Sequence, residues 1–436
     1  MGREGELIRS RRSLIQRFLL DDRNVEKNGY LWYMVGNMLS AFQSVLLLAV
    51  INRLLGSKDA GIYNLTFGKA NLFLTMGRYG MRYFQVSDMK EEHSFGDYFV
   101  SRIITSASMI IAGVVHILYT AMTNSYSSYK TAVAICMIIY KLIDSFEDVV
   151  DGRYQNRDRL DIAGRILTIR IAFLIVSFGG GIILFKNMLL ALVVSMVLDT
   201  LVWMYLVFVT TREFDLSFGK IRKKSVILLL KQCFPLFVGS FLAFYIGDSP
   251  KYAVDAVLSD EYQAIYGFVA MPVFIIGLIN SFIFNPQIVK MTRIWNSGDV
   301  KRFIKKVMLQ VGIIAGISVV CLAGAYLLGI PLLSAFFSQD LTAYKAELMI
   351  LLVGGGFLGL TGLFGAVITI IRFQKTQSWG YGFVALITLI FSNTVVRHFG
   401  LRGAAYLYTG LMFLACIVFV IFFAIGVKIK KGKVVS

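Results

Sequence analysis

Residues Arg53–Asp88 read RLLGSKDAGIYNLTFGKANLFLTMGRYGMRYFQVSD, a short turn followed by an apolar stretch of helix length that closes on two glycines and two arginines. The stretch sets Lys69 near the middle of a span. A lone ammonium at that depth costs about 3 kcal/mol on insertion scales, so it calls for an ion-pair partner, a wet cavity or an anionic ligand. Reading outward from this segment gives both the fold class and the first place to look for function.

The surrounding composition makes it a bilayer segment. Of 436 residues, 57% are hydrophobic and 16% charged, with a mean hydropathy of +0.70, whereas soluble domains run at about 45–50% apolar. The cysteines Cys136, Cys233, Cys321 and Cys416 each stand alone in an apolar run, without disulfide or zinc spacing. The histidines His93, His116 and His398 are equally scattered, so no metal or other cofactor is expected. A net charge of +18 would suit a nucleic-acid binder, but the basic residues gather at the ends of apolar runs, as membrane topology requires, and nucleic acid is not an expected partner.

Apolar runs of about 20 residues, enough to cross a hydrocarbon core as a helix, recur at 29–51, 61–81, 98–121, 131–149, 163–185, 188–210, 226–248, 262–285, 308–330, 347–371, 378–396 and 403–427. Twelve spans put both chain ends on one side. Counting Lys and Arg in the alternate connecting segments gives 30 on that side and 8 on the other, which places the ends in the cytoplasm. Residues 1–28 form a basic tail whose Leu7/Ile8, Leu14/Ile15 and Phe18/Leu19 fall at helical spacing, and nothing in it reads as a secretory signal.

Short matches recur at an offset near 203. Leu55 and Ala60-Gly61-Ile62-Tyr63 match Leu258 and Gln263-Ala264-Ile265-Tyr266, and Ile110-Ile111-Ala112-Gly113 matches Ile313-Ile314-Ala315-Gly316. An all-α integral membrane protein of two six-helix lobes follows: 29–215 and 226–427, a linker at 216–225, and a second basic tail at 428–436. An even repeat relates the lobes by an axis along the membrane normal, with a substrate cavity expected between them.

Six cations remain within spans: Lys69, Arg78, Arg102, Lys141, Arg170 and Lys231. On span 2, Asn64, Asn71, Thr75, Arg78 and Arg82 step by 7, 4, 3 and 4, one helical face, while Lys69 lies opposite Arg78. Asp199 on span 6 is the expected ion-pair partner of Lys69. Span 1 adds Asn37. Span 4 carries Lys141, Asp144, Asp148 and Asp151 at i, i+3, i+7 and i+10, with Glu147 beside the row. Arg102 is expected to pair with Asp144 and Asp148. Substrate binding thus falls to Arg78, Arg82, Lys69, Asn71, Arg102, Arg170 and Asn37, and ion coupling or gating to Asp144, Asp148, Lys141 and Asp199. Pro235, Pro272 and Pro286 mark kink sites in spans 7 and 8. No metal-binding Asp-x-Asp, P-loop or Gly-x-Ser-x-Gly occurs, and the outer loops are short, so no enzyme is expected.

Arg53-Leu54-Leu55-Gly56, Gly61-Ile62-Tyr63, Gly80-Met81-Arg82 with Gln85-Val86-Ser87-Asp88, and Gly400-Leu401-Arg402-Gly403-Ala404-Ala405 resemble the O-antigen and capsule repeat-unit flippases. These belong to the multidrug/oligosaccharidyl-lipid/polysaccharide exporter superfamily. The resemblance implies a fold similar to multidrug-and-toxin extrusion (MATE) transporters and alternating-access export of polyprenyl-pyrophosphate-linked oligosaccharide across the bacterial cytoplasmic membrane. Membrane lipid and polysaccharide assembly proteins are the further implied partners. Two alternatives stand beside it: a multidrug or cation antiporter of the same fold, and a membrane glycosyltransferase or polysaccharide polymerase.

Overall fold

The structure is a computed structural model that describes residues 13–88, 92–211, 218–284, 287–373 and 375–434. It is all-helical, and each expected span lies on a helix. In chain order these are α1 (Leu14–Leu19), α2 (Val25–Leu55), α3 (Ser57–Arg78), α4 (Met81–Ser87), α5 (Phe95–Thr123), α6 (Ser128–Asn156), α7 (Leu160–Phe185) and α8 (Met188–Thr211). There follow α9 (Lys223–Val257), α10 (Asp260–Phe284), α11 (Ile288–Asn296), α12 (Val300–Gly324), α13 (Ile330–Phe337), α14 (Lys345–Ile370) and α15 (Lys375–Val434). Hydrocarbon offers no partner to a peptide group, and a helix satisfies its own backbone.

Among the described residues, eight helical segments are long and apolar enough to cross a membrane. Helices α3, α6 and α10 fall outside that set; α3 carries the Lys69 charge and α6 the charged row. Val300–Phe337 counts as one segment because a wide π turn, Ala325–Gly329, joins α12 to α13 just before Pro331. Pro331 has no N–H to give, and a wider turn absorbs that loss without ending the helix. Spans 11 and 12 run together as α15, interrupted at Gly400 (φ 58°, ψ −139°), a conformation open to glycine alone.

The chain divides into two compact units. The first holds Met1–Gly56 and Lys69–Phe237, and the second holds Ser57–Gly68 and Val238–Ser436. The divisions fall inside α3 and α9 rather than at the 216–225 linker. The described part of that linker is tied to the first unit: the Gly96 N–H donates to the Phe218 carbonyl (2.8 Å), and the Arg222 N–H (2.8 Å) and Ser225 hydroxyl (2.7 Å) donate to Asp97. Asp97 is fully buried, and these bonds meet the charge that burial would otherwise strand.

In the first unit α2 packs along α7, and a core of Leu19, Met81, Val149, Tyr154, Ile162, Ile166 and Leu229 closes around them. Helix α1 belongs to this core through Leu19. The Arg165 guanidinium, 2% exposed, donates to the Phe18 (2.7 Å) and Leu19 (2.9 Å) carbonyls that the end of α1 leaves open. The tail upstream of Ser13 lies outside the described residues.

In the second unit α14 packs against α15 over a core of Phe303, Val307, Phe364, Val367, Ile368 and Phe419. The start of α3 joins α10 there, and the two copies of the internal repeat meet. A Cβ on Gly61 would stand 1.7 Å from the Asp260 carbonyl and 3.2 Å from the nitrogen of Ala264, its counterpart in the repeat. Gly267 faces Asn64, its own counterpart, whose side-chain amide donates to the Gln263 carbonyl (3.1 Å). Glycines here let two backbones touch. Gly61→Ala is therefore expected to destabilise the protein by about 2–3 kcal/mol through overpacking. Gly179→Ala, which would meet nothing within 4 Å, serves as a neutral control. Thermal unfolding in detergent followed by size-exclusion recovery checks the difference.

Candidate functional site

Helix α6 carries the first unit's chemistry. Asp144, Glu147, Asp148 and Asp151 are all at least nine-tenths buried, as is Asp199 on α8. Buried carboxylates persist only with cationic or hydrogen-bonding partners, and the neighbouring helices supply them. Arg170 of α7, 1% exposed, grips Glu147 through Nε (2.9 Å) and Nη2 (2.5 Å), Asp144 through Nη2 (2.8 Å) and Asp199 through Nη1 (3.0 Å). The Lys141 ammonium donates to the other oxygen of Asp144 (2.7 Å), and the Tyr140 hydroxyl donates to Asp199 (3.0 Å).

A second cluster lies further along α6. Arg102 of α5, fully buried, donates to Asp148 (2.6 Å) and to the Gly77 carbonyl (2.6 Å). Arg82 of α4 reaches Asp151 (3.4 Å), Asp148 (3.7 Å) and the Gln155 side-chain oxygen (3.1 Å), and it lies over the Tyr33 ring at 5.3 Å. The two clusters set five carboxylates, Asp144, Glu147, Asp148, Asp151 and Asp199, against four cations, Lys141, Arg170, Arg102 and Arg82.

Several sequence expectations change. Asp199 is bound to Arg170 and Tyr140, so it is not the counter-ion of Lys69. Lys69 is buried, but its ammonium donates to the Tyr126 hydroxyl (2.7 Å) in the turn between α5 and α6 and lies over that ring at 5.1 Å. Its long side chain thus carries the charge from within α3 to the ends of the neighbouring helices, where Lys130 shares the same ring at 4.2 Å. Arg102 pairs with Asp148 but not with Asp144, which Lys141 and Arg170 hold.

The shared face of Asn71, Arg78 and Arg82 also breaks. Helix α3 ends at Arg78, Tyr79 (φ 54°) and Gly80 (φ 67°) turn the chain, and Arg82 belongs to α4. Arg78 is exposed and, among the described residues, carries no ion pair or hydrogen bond. Asn71 is half-buried; Asn37 is exposed and donates its amide to the Tyr33 carbonyl of its own helix (2.6 Å). Sequence reasoning missed the bidentate role of Glu147, one step off the spaced row, and the Gly77 carbonyl, which no side-chain pattern reveals.

No family model matches the chain. The capsular polysaccharide biosynthesis protein CapF of Staphylococcus aureus is 25% identical over 405 residues, covering 89% of this chain and 97% of that one. Among solved structures, an inward-facing multidrug resistance MATE family transporter of the MOP superfamily aligns with a TM-score of 0.70 at 13% identity, over 90% of this chain and 95% of that one. The MATE transporter VcmN of Vibrio cholerae in its bent form aligns at 0.61 with 10% identity, over 94% and 98%. A MOP superfamily transporter from Pyrococcus furiosus, described as having a binding pocket of reverse polarity, aligns with a TM-score of 0.57 at 13% identity, over 98% of each chain. At such identities the likeness fixes the fold. The chain is a multi-pass membrane protein with the MATE-type transporter fold.

Arg170→Gln takes the guanidinium from Glu147 and leaves Asp144 to Lys141 and Asp199 to Tyr140; it is expected to cost about 3–5 kcal/mol, the range for removing one partner of a buried pair. Lys69→Met, on a site satisfied by one tyrosine hydroxyl and its ring among other contacts, is expected to cost less than Arg170→Gln. Detergent-phase melting temperatures of the two purified variants test the order.

Proposed function

We propose that the protein exports a polyprenyl-pyrophosphate-linked oligosaccharide repeat unit across the bacterial cytoplasmic membrane by alternating access, with both termini cytoplasmic. The observation that carries this reading is the likeness to CapF across 97% of that protein's length. A transporter fold by itself serves many substrates, and this likeness supports a polysaccharide-related one. No covalent step is required. The barrier is the passage of phosphate charge and sugar hydroxyls through hydrocarbon, while the polyprenyl tail stays in lipid.

The proposed contact with the anionic head group is Arg78. A guanidinium offers paired donors to phosphate oxygens, and Arg78 is exposed, whereas Arg82, Arg102 and Arg170 already serve carboxylates. Lys141, Asp144, Asp148 and Asp199 form the structural and gating network beside it. Polysaccharide assembly proteins remain the proposed partners.

A second reading, a multidrug or cation antiporter, is favoured by five carboxylates held on four cations. A membrane enzyme that extends sugar chains has no such observation behind it.

Flipping of a fluorescent polyprenyl-pyrophosphate glycan in proteoliposomes tests the proposal, under imposed proton and sodium gradients. Arg78→Ala is expected to raise the KM for the glycan lipid about tenfold, the equivalent of one charge-assisted hydrogen bond, with an unchanged melting temperature. No glycan movement under any gradient, together with drug efflux in a sensitised host, would transfer the assignment to the antiporter.

A further inference from the structure

The chain turns at Gly77-Arg78-Tyr79-Gly80, and both sides of the turn are fastened. The Gly77 carbonyl receives two bonds from α5, one from Arg102 Nη1 (2.6 Å) and one from the Thr105 hydroxyl (2.8 Å). Arg102 is itself held by Asp148 (2.6 Å). A Cβ on Gly77 would meet the Met109 sulfur at 2.8 Å and the Ser145 hydroxyl oxygen at 2.9 Å, so the backbone lies directly against α5 and α6. Beyond the turn, Tyr79 stacks on Phe237 with ring centroids 4.8 Å apart and planes 10° apart. Gly80 takes φ 67° with Leu236 against it, and the Gln85 amide donates to the Val149 carbonyl (2.9 Å).

This arrangement leaves the Arg78 side chain as the exposed group of a pinned turn. We infer that Arg102 and Thr105 are positioning residues for Arg78: they fix the Gly77 carbonyl and so determine where the Arg78 guanidinium stands. The inference deepens the reading of Arg78 as the head-group contact and reassigns Arg102 from ligand to support. Arg102 is well built for the task. It is fully buried, so it meets no ligand, and its planar fork joins a carboxylate on α6 to a main-chain oxygen on α3. Thr105 adds an uncharged bond to the same oxygen and back-bonds to the Arg102 carbonyl (3.2 Å).

The test reads position 78 directly and uses no transported substrate, so its outcome is separate from that of the export assay. In the full-length protein bearing Arg78→Cys, the modification rate at residue 78 is followed by peptide mass spectrometry with a neutral maleimide and with an anionic thiosulfonate. Arg102→Gln combined with Thr105→Val is expected to slow both reagents about threefold or more, in keeping with the loss of two hydrogen bonds. Thr105→Val alone, which alters no charge, should slow both by a smaller factor, and Arg102→Lys should restore part of the rate. Tyr83→Cys on α4, where Tyr83 is 77% exposed, is the reference site and should keep its rate. Equal rates at position 78 with and without the two donors would overturn the inference. So would slowing confined to the anionic reagent, which reports lost charge alone, or a parallel change at position 83, which reports general loosening.

Discussion

Five carboxylates in the apolar interior of one unit must be met by charge, and much of the first unit's architecture answers that demand. Helix α6 brings four of them. Left alone it could not enter hydrocarbon, since each unpaired ion carries a penalty of several kcal/mol even after relaxation. Arg170 on α7, Arg102 on α5 and Arg82 on α4 arrive from three directions, and Asp199 on α8 closes the set around Arg170. The helices are therefore ordered around α6 by ion pairing as well as by packing. Between lipid-facing helices the hydrophobic effect is weak, and directional bonds of this kind are what select neighbours.

The same pairing redefines the site. A count of cations within spans suggests a basic interior. Pairing shows how little of that charge is available: Arg170 and Arg102 are spent on α6, Arg82 is divided between Asp151, Asp148 and Gln155, and Lys69 leans on Tyr126. What remains exposed among the cations within spans is Arg78, at a turn whose backbone is held by two side chains, and Lys231 on α9. In the proposed reading, recognition by one guanidinium is a narrower device than a cavity lined with positive charge, and it puts the weight on the geometry of a single turn.

Much of this was legible in the sequence, and the limits have physical causes. Hydropathy located the spans because each hydrocarbon crossing demands a long apolar helix, and the i, i+3, i+7, i+10 spacing of Lys141, Asp144, Asp148 and Asp151 put them on one face. Which cation meets which carboxylate was not legible. Pairing depends on helix neighbours and side-chain length, so Lys69 and Asp199, at similar depth along their spans, take different partners. Gly80 signalled a turn, but the helical-face reading ran through it to Arg82, because periodicity carries no mark of where a helix stops. The role of Arg165 in closing the end of α1 was not legible either, because it depends on carbonyls that no side-chain pattern displays.

The contact of Gly61 with the Asp260 carbonyl, and of Gly267 with the Asn64 side chain, leaves the crossing of α3 and α10 no slack. Where backbone lies this close, neither helix can slide or rotate without a clash or a gap, because packed interiors do not deform continuously. The crossing therefore acts as a fixed point within the second unit, and any rearrangement of that unit has to be taken up at its other helix contacts.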